Sequence, residues 1–164
     1  MTMMNRAACT AFAAFCLLGL AACNQGDTGA PTDSASPVLV KGLSITNPRL
    51  VLAPVKGNPA AVYFDLSYAG ADGLTLNTVT VEGAGMSMIH QTAEKDGAMT
   101  MTEAAPIALT TGAPVSFAPG GLHVMAMQPS DAWQPGGTVN VTLSLSDGTT
   151  QSFAADVRAA GEER

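Results

Sequence analysis

From about residue 43 onward, hydrophobic and polar positions alternate in short runs that stop at Gly, Pro, Asn and Asp. In "TVNVTLSLS" (138–146), Val139, Val141, Leu143 and Leu145 alternate with Thr, Asn and Ser. That period of two places one side of a strand in a core and the other in water. The same reading predicts strands at "LSITNPRLVL" (43–52), "AAVYFDLSY" (60–68), "LTLNTVTV" (74–81), "SMIHQTA" (87–93), "AMTMTEA" (98–104), "PVSFA" (114–118), "HVMAMQ" (123–128) and "TQSFAADV" (150–157). Between them stand "KGNP", "GADG", "EGAG", "KDG", "APGG", "QPGG" and "SDG", each a turn signal. No stretch holds a 3.6-residue period long enough for a helix, and no repeat of solenoid length occurs. Short strands at regular spacing predict one all-β domain over residues 43–158, a sandwich or barrel.

The first forty residues follow another pattern. Residues 1–22 place Arg6 ahead of the apolar run "AACTAFAAFCLLGLAA" and read as a secretion signal, too short and wrongly flanked to be a membrane span. The run ends in Leu20-Ala21-Ala22-Cys23, which resembles a bacterial lipobox; the alternative is a plain cleaved signal with small residues before the cut. In a lipobox Cys23 is acylated and becomes the first mature residue, holding the protein to a membrane surface without spanning it. Residues 23–42 are then the lipidated cysteine and a polar, Pro-containing tether, and "AAGEER" (159–164) is a solvated tail. The expected location is the periplasmic side of the cell envelope. Asn24 stands where an aspartate marks inner-membrane retention in some bacteria, so the outer membrane is favoured over the inner.

These assignments change what the cysteines can do. Of three, Cys9 and Cys16 lie in the signal and Cys23 is the lipidation site. The domain therefore has no thiol for a disulfide, a zinc–thiolate site or a nucleophile, and must stand on its core. The formal charge of −6, which becomes −7 when Arg6 leaves with the signal, comes without Lys/Arg clusters and argues against nucleic acid as a partner.

Outside the signal, all six methionines and both histidines fall between residues 86 and 127. Methionine used only to fill core gaps would also occur in the other strands. Instead the methionines form three pairs, "MSM", "MTM" and "MAM", the first running on to His90 and the last preceded by His123. On a strand, His123, Met125 and Met127 share one side; Leu122, Val124 and Ala126, which read as ordinary core, share the other. Three neighbouring strands built this way can bring thioethers and imidazoles together. Such donors suit Cu(I) better than zinc, iron or calcium, and a blue-copper centre needs a thiolate that the domain lacks.

The spacing His90, ten residues, Met101, twenty-one residues, His123, one residue, Met125 resembles the H-x10-M-x21-H-x-M motif of the periplasmic copper(I) chaperones called PCuAC. The surrounding text, "HQTAEKDGAMTM", "VSFAPGGLHVMAM", "QPGGTVNVTLSLSDG" and "AVYFDLSYAGADGLTL", is similar to that family across residues 43–157. The resemblance implies a cupredoxin-like β-sandwich or barrel with His90, Met101, His123 and Met125 as ligands of a Cu(I) near the surface. It implies a lipid-anchored metallochaperone, not an enzyme, delivering copper toward the CuA centre of cytochrome c oxidase subunit II, with a Sco-like thioredoxin-fold chaperone as a further partner. Thr102 stands where the family usually has a basic residue, and because "AAGEER" (159–164) holds no Met or His, the second copper site that a Met/His-rich tail gives some relatives is not expected.

The remaining residues read more plainly. Met86, Met88, Met99 and Met127 match no ligand position and are expected to pack, with Met88 and Met99 lining the site or lending a transient sulfur. Trp133 reads as a plug at the barrel end, Tyr63 and Phe64 as core strand, and Asp72 as a side-chain-to-backbone turn bond. No nucleophile–base pair and no phosphate loop is recognisable. Two rival readings share this sequence: a structural or binding envelope lipoprotein without metal, and an envelope protein for copper storage or resistance.

Overall fold

The computed structural model describes residues 40–104 and 106–162; the signal, Cys23 and nearly all of the tether lie outside the described residues, as do the last two residues of the tail. Ten strands and no helix are found among the described residues: β1 (Leu43–Val51), β2 (Ala60–Tyr68), β3 (Leu74–Val81), β4 (Ala84–Lys95), β5 (Ala98–Glu103), β6 (Ile107–Leu109), β7 (Val115–Phe117), β8 (Leu122–Pro129), β9 (Thr138–Leu145) and β10 (Thr150–Arg158). They form one continuous sheet in the order β5-β4-β8-β7-β2-β1-β10-β9-β3-β6, with β8 also pairing β2. Most ladders are antiparallel; β1 runs parallel to β10, with Arg49 opposite Asp156.

β3 and β4 lie in opposite arms of this order yet are joined by the two residues Glu82 and Gly83. The arms therefore return to each other around a common core. A bond spans the seam, the Val81 amide donating to Ser87 Oγ at 3.1 Å, while the Glu82 amide extends the β3–β9 ladder to the Asn140 carbonyl at 2.9 Å. Gly83 takes φ +83°, and Trp133 lies where its Cβ would be, with Nε1 2.9 Å from that position. Trp133 is half-buried and packs against the core.

The alternation seen in the sequence becomes the inner face. Val139, Val141, Leu143 and Leu145 of β9 are all buried, as are Ala60, Val62, Phe64 and Leu66 of β2. Phe64 stacks on Phe117 (centroids 4.3 Å apart) and meets Phe153 edge-on at 5.3 Å. Each such buried aromatic contributes on the order of 2–3 kcal/mol from the area it removes from water. Tyr63 is not core: neighbours on a strand face opposite ways, so Phe64 takes the inside and Tyr63 the outer side, half-buried, with the Arg49 guanidinium 5.3 Å from its ring centroid.

Three further differences from the sequence reading have local causes. β6 was not predicted, because three residues are too few to show a period; its pairing with Leu74–Leu76 of β3 makes it a strand. β4 is longer than expected and runs through Gly85, whose missing Cβ leaves room for the Gln128 side chain. Asp72 does not close its own turn; its carboxylate accepts the amide of Thr111, 39 residues on, at 3.2 Å.

Candidate metal centre

The site is organised by one tight turn. Asp96 and Gly97 both have positive φ (55° and 79°), the conformation of a two-residue hairpin loop that Asp-Gly favours. That turn fixes the β4–β5 register: Lys95 faces Ala98, Glu94 faces Met99, Thr92 faces Met101 and His90 faces Glu103. On the other side of β4, β8 pairs so that His90 faces His123, Met88 faces Met125 and Met86 faces Met127. Directly paired residues share a side of the sheet. Both histidines and all six methionines of this region therefore lie on one face of the three-strand segment β5–β4–β8. The opposite face carries Ile89, Val124 and Ala126, all buried in the core.

Two details prepare the imidazoles. The rings of His90 and His123 are edge to face, with centroids 5.9 Å apart and an interplanar angle of 80°. His123 is only 6% exposed, and its Nδ1 lies 3.1 Å from the Gly121 carbonyl oxygen. A carbonyl can only accept, so Nδ1 carries a proton, and Nε2 is the nitrogen left to offer a lone pair to a metal. The Gly121 carbonyl also accepts the Thr92 amide of β4 at 3.1 Å, which anchors the turn that orients His123. His90 Nδ1 is buried and has no hydrogen-bond partner among the described residues. A buried ring nitrogen without a partner is costly, and ligation is one way to relieve that cost.

Around the imidazoles the donors are soft. Met125, half-buried, follows His123 by two residues on the same side; Met101 on β5 lies diagonal to His90, beside Thr92, and is 49% exposed. All four residues picked out by spacing are thus brought to one patch. No group of three His, Cys, Asp or Glu side chains gathers among the described residues, so no hard-donor site competes with it.

The packing role expected of Met86, Met88, Met99 and Met127 is not a place in the core. None belongs to the buried core, and Met86 and Met99 are 55% and 63% exposed. Sequence reasoning also passed over Glu103, the exposed carboxylate directly opposite His90. The signal that would have found it is the Asp-Gly turn, from which the hairpin register can be counted.

The model of the LpqE-like lipoprotein family matches residues 43–157, most of the chain and the whole run of strands. The chain belongs to the LpqE-like family. A protein of Leifsonia xyli subsp. xyli (strain CTCB07) named as a lipoprotein, Lxx21020, is 32% identical to this LpqE-like chain over 99 residues, 60% of each protein. The match thus spans less than two thirds of that curated relative. Among solved structures, the apo PCuAC domain from PmoF1 is similar with a TM-score of 0.61 at 23% identity, over 75% of this chain and 98% of that domain. The copper-bound PCuAC domain from PmoF2 is similar with a TM-score of 0.60 at 22% identity, over 75% and 97%. The CuI-bound protein DR1885 from Deinococcus radiodurans is similar with a TM-score of 0.55 at 23% identity, over 80% and 87%. These likenesses establish the fold: the LpqE-like chain has the cupredoxin-like β architecture of PCuAC domains, as the sequence resemblance implied.

Proposed function

We propose that this LpqE-like protein is an extracytoplasmic Cu(I) carrier, with His90, Met101, His123 and Met125 as the ligands and Cys23 as the lipid anchor. The observation that carries the reading is the facing pair His90 and His123, set within a patch of thioethers. One imidazole has its Nδ1 proton bound to Gly121 and its other nitrogen open, and the other has a buried nitrogen with no described partner. Two imidazoles and two thioethers form a neutral, soft donor set that suits Cu(I). The copper-bound state of similarly folded domains supports the same cargo.

Neutral ligands leave the metal its positive charge. A partner offering thiolates can therefore take the ion by ligand exchange, with no change of oxidation state and no chemistry on a substrate. This is the work of a carrier rather than an enzyme. The destination that fits the resemblance is the CuA centre of cytochrome c oxidase subunit II, with a Sco-like protein as intermediary. The lipid anchor would hold the carrier at the extracytoplasmic membrane surface where such acceptors stand.

The test is an anaerobic titration of the full-length protein with Cu(I) against a competing chelator, alongside His123→Ala and Met125→Leu. One tight equivalent that both variants lose or greatly weaken is the expected result. Wild-type protein that takes no copper would leave a structural envelope lipoprotein as the better reading.

A further inference from the structure

Four thioethers lie on the same face but outside the four-residue set: Met99 on β5, and Met86, Met88 and Met127, which lie together on β4 and β8. Met86 stands directly opposite Met127, and Met88, two residues along β4, stands opposite Met125. Cross-strand partners are about 5 Å apart and diagonal ones about 7–8 Å, within reach of side chains as long and flexible as methionine. β5 pairs only with His90–Lys95, so its ladder does not extend to Met86 and Met88. On the far side of β8, the neighbour of Met125 is Ala61, too small to cover the row.

Core packing does not explain these residues. Met86 is 55% exposed, and Met88 and Met127 are half-buried. The intervening polar residues turn away: Ser87 Oγ takes the Val81 amide, and the Gln128 side chain occupies the space left by Gly85. The row therefore presents sulfur without a carboxylate, amide or hydroxyl on the same face of these strand positions. Three neutral thioethers select Cu(I) over zinc or Cu(II), which ask for harder donors.

The geometry points to a second Cu(I) site formed by the thioethers of Met86, Met88 and Met127, next to the imidazole pair and separate from it. Lacking imidazole, it binds more weakly than a His/Met set. The Met88–Met125 pair joins the two sites, so the ion can pass between them by exchanging one thioether at a time, as Cu(I) throughout.

The test is an anaerobic Cu(I) titration of the full-length protein in detergent, using competing chelators of graded strength and following the methionine methyl resonances. Wild-type protein should take two equivalents, the second at least about tenfold weaker, with the Met86 and Met127 methyl signals moving only at the second. Met86→Leu with Met127→Leu, which keeps volume and apolarity, should lose the second equivalent and keep the first. His90→Ala with His123→Ala should do the reverse. A wild-type protein limited to one equivalent that needs the histidines overturns the proposal. So does a second equivalent that survives the methionine double variant or vanishes with the histidines. A single equivalent lost with the methionines and indifferent to the histidines upholds this site and sinks the imidazole one.

Discussion

His90 and His123 stand directly opposite each other across the β4–β8 ladder, 33 positions apart in the chain. Ile89 and Val124, each next to one of them, are buried on the inner side. Because a one-residue slip turns every side chain over, the core that holds Ile89 and Val124 inward also holds the imidazoles outward. The site inherits its register from the hydrophobic core.

That coupling separates binding from folding. Met101 is 49% exposed and contributes little burial. Met101→Leu should change stability by no more than about 0.5 kcal/mol, as surface substitutions usually do. Cu(I) affinity should fall at least about tenfold, by analogy with the effect of disturbing a metal ligand's surroundings. Chelator competition and urea denaturation on the same preparation give both numbers, and a folded variant with unchanged affinity removes Met101 from the ligand set.

Phe64 sits where two aromatic contacts meet, with Phe117 and Phe153. Phe64→Ala should cost about 3–5 kcal/mol of unfolding free energy. Comparison of the urea midpoints checks this. A loss below about 1 kcal/mol would mean that the core closes around the missing ring.

Gly83 and Gly57 have nearly the same backbone angle, φ +83° and +86°, but only Gly83 has a neighbour where a Cβ would go. Alanine at either position carries the strain of a left-handed conformation, on the order of 1 kcal/mol. Gly83→Ala must also displace Trp133. It should therefore destabilise more than Gly57→Ala and shift the emission of Trp133, the single tryptophan. Equal losses and unchanged emission in both variants would show that Trp133 yields freely.

The Asp65 carboxyl is held below its ordinary range, chiefly by the Asn47 side-chain amide, then by the Ser116 hydroxyl, with the Arg49 charge adding and desolvation opposing. A depressed folded-state value stabilises the fold above the unfolded value, near 3.9, and that stabilisation is lost as pH falls through the lower folded value. The melting-temperature gap between wild type and Asp65→Asn should thus be present at pH 6 and shrink between about pH 4 and pH 2. A gap that stays constant across that window would assign the effect to the hydrogen bonds of Asn47 and Ser116 irrespective of charge.

Most of the strands were legible because each carries its own alternation; β2 and β3 begin and end where the pattern does. The side on which the methionines fall was legible too, though only in part used. Ile89, Val124 and Ala126 already claim the inner face of β4 and β8, which leaves the outer face to Met86, Met88, Met125 and Met127. Met86, Met88 and Met127 were expected to pack because they match no ligand position, which left that parity unused. The pairing of His90 with His123 was not legible, since it depends on β4 lying beside β8, a non-local choice made by the closure of the whole sheet. β6 was invisible for a related reason: its identity as a strand comes from β3 rather than from its own three residues.

β5 is the last strand of the sheet on its side, and every one of its six residues is exposed. Of the four proposed ligands, Met101 alone rides on it. Edge strands with little burial open locally at lower free energy than strands held on both sides. Copper held by this set would then leave in a fixed order, with the Met101 bond breaking first while the imidazoles still hold. The residence time of the ion would be set by how often one short hairpin lifts, and a partner that pairs with the free edge of β5 would control release without touching the metal.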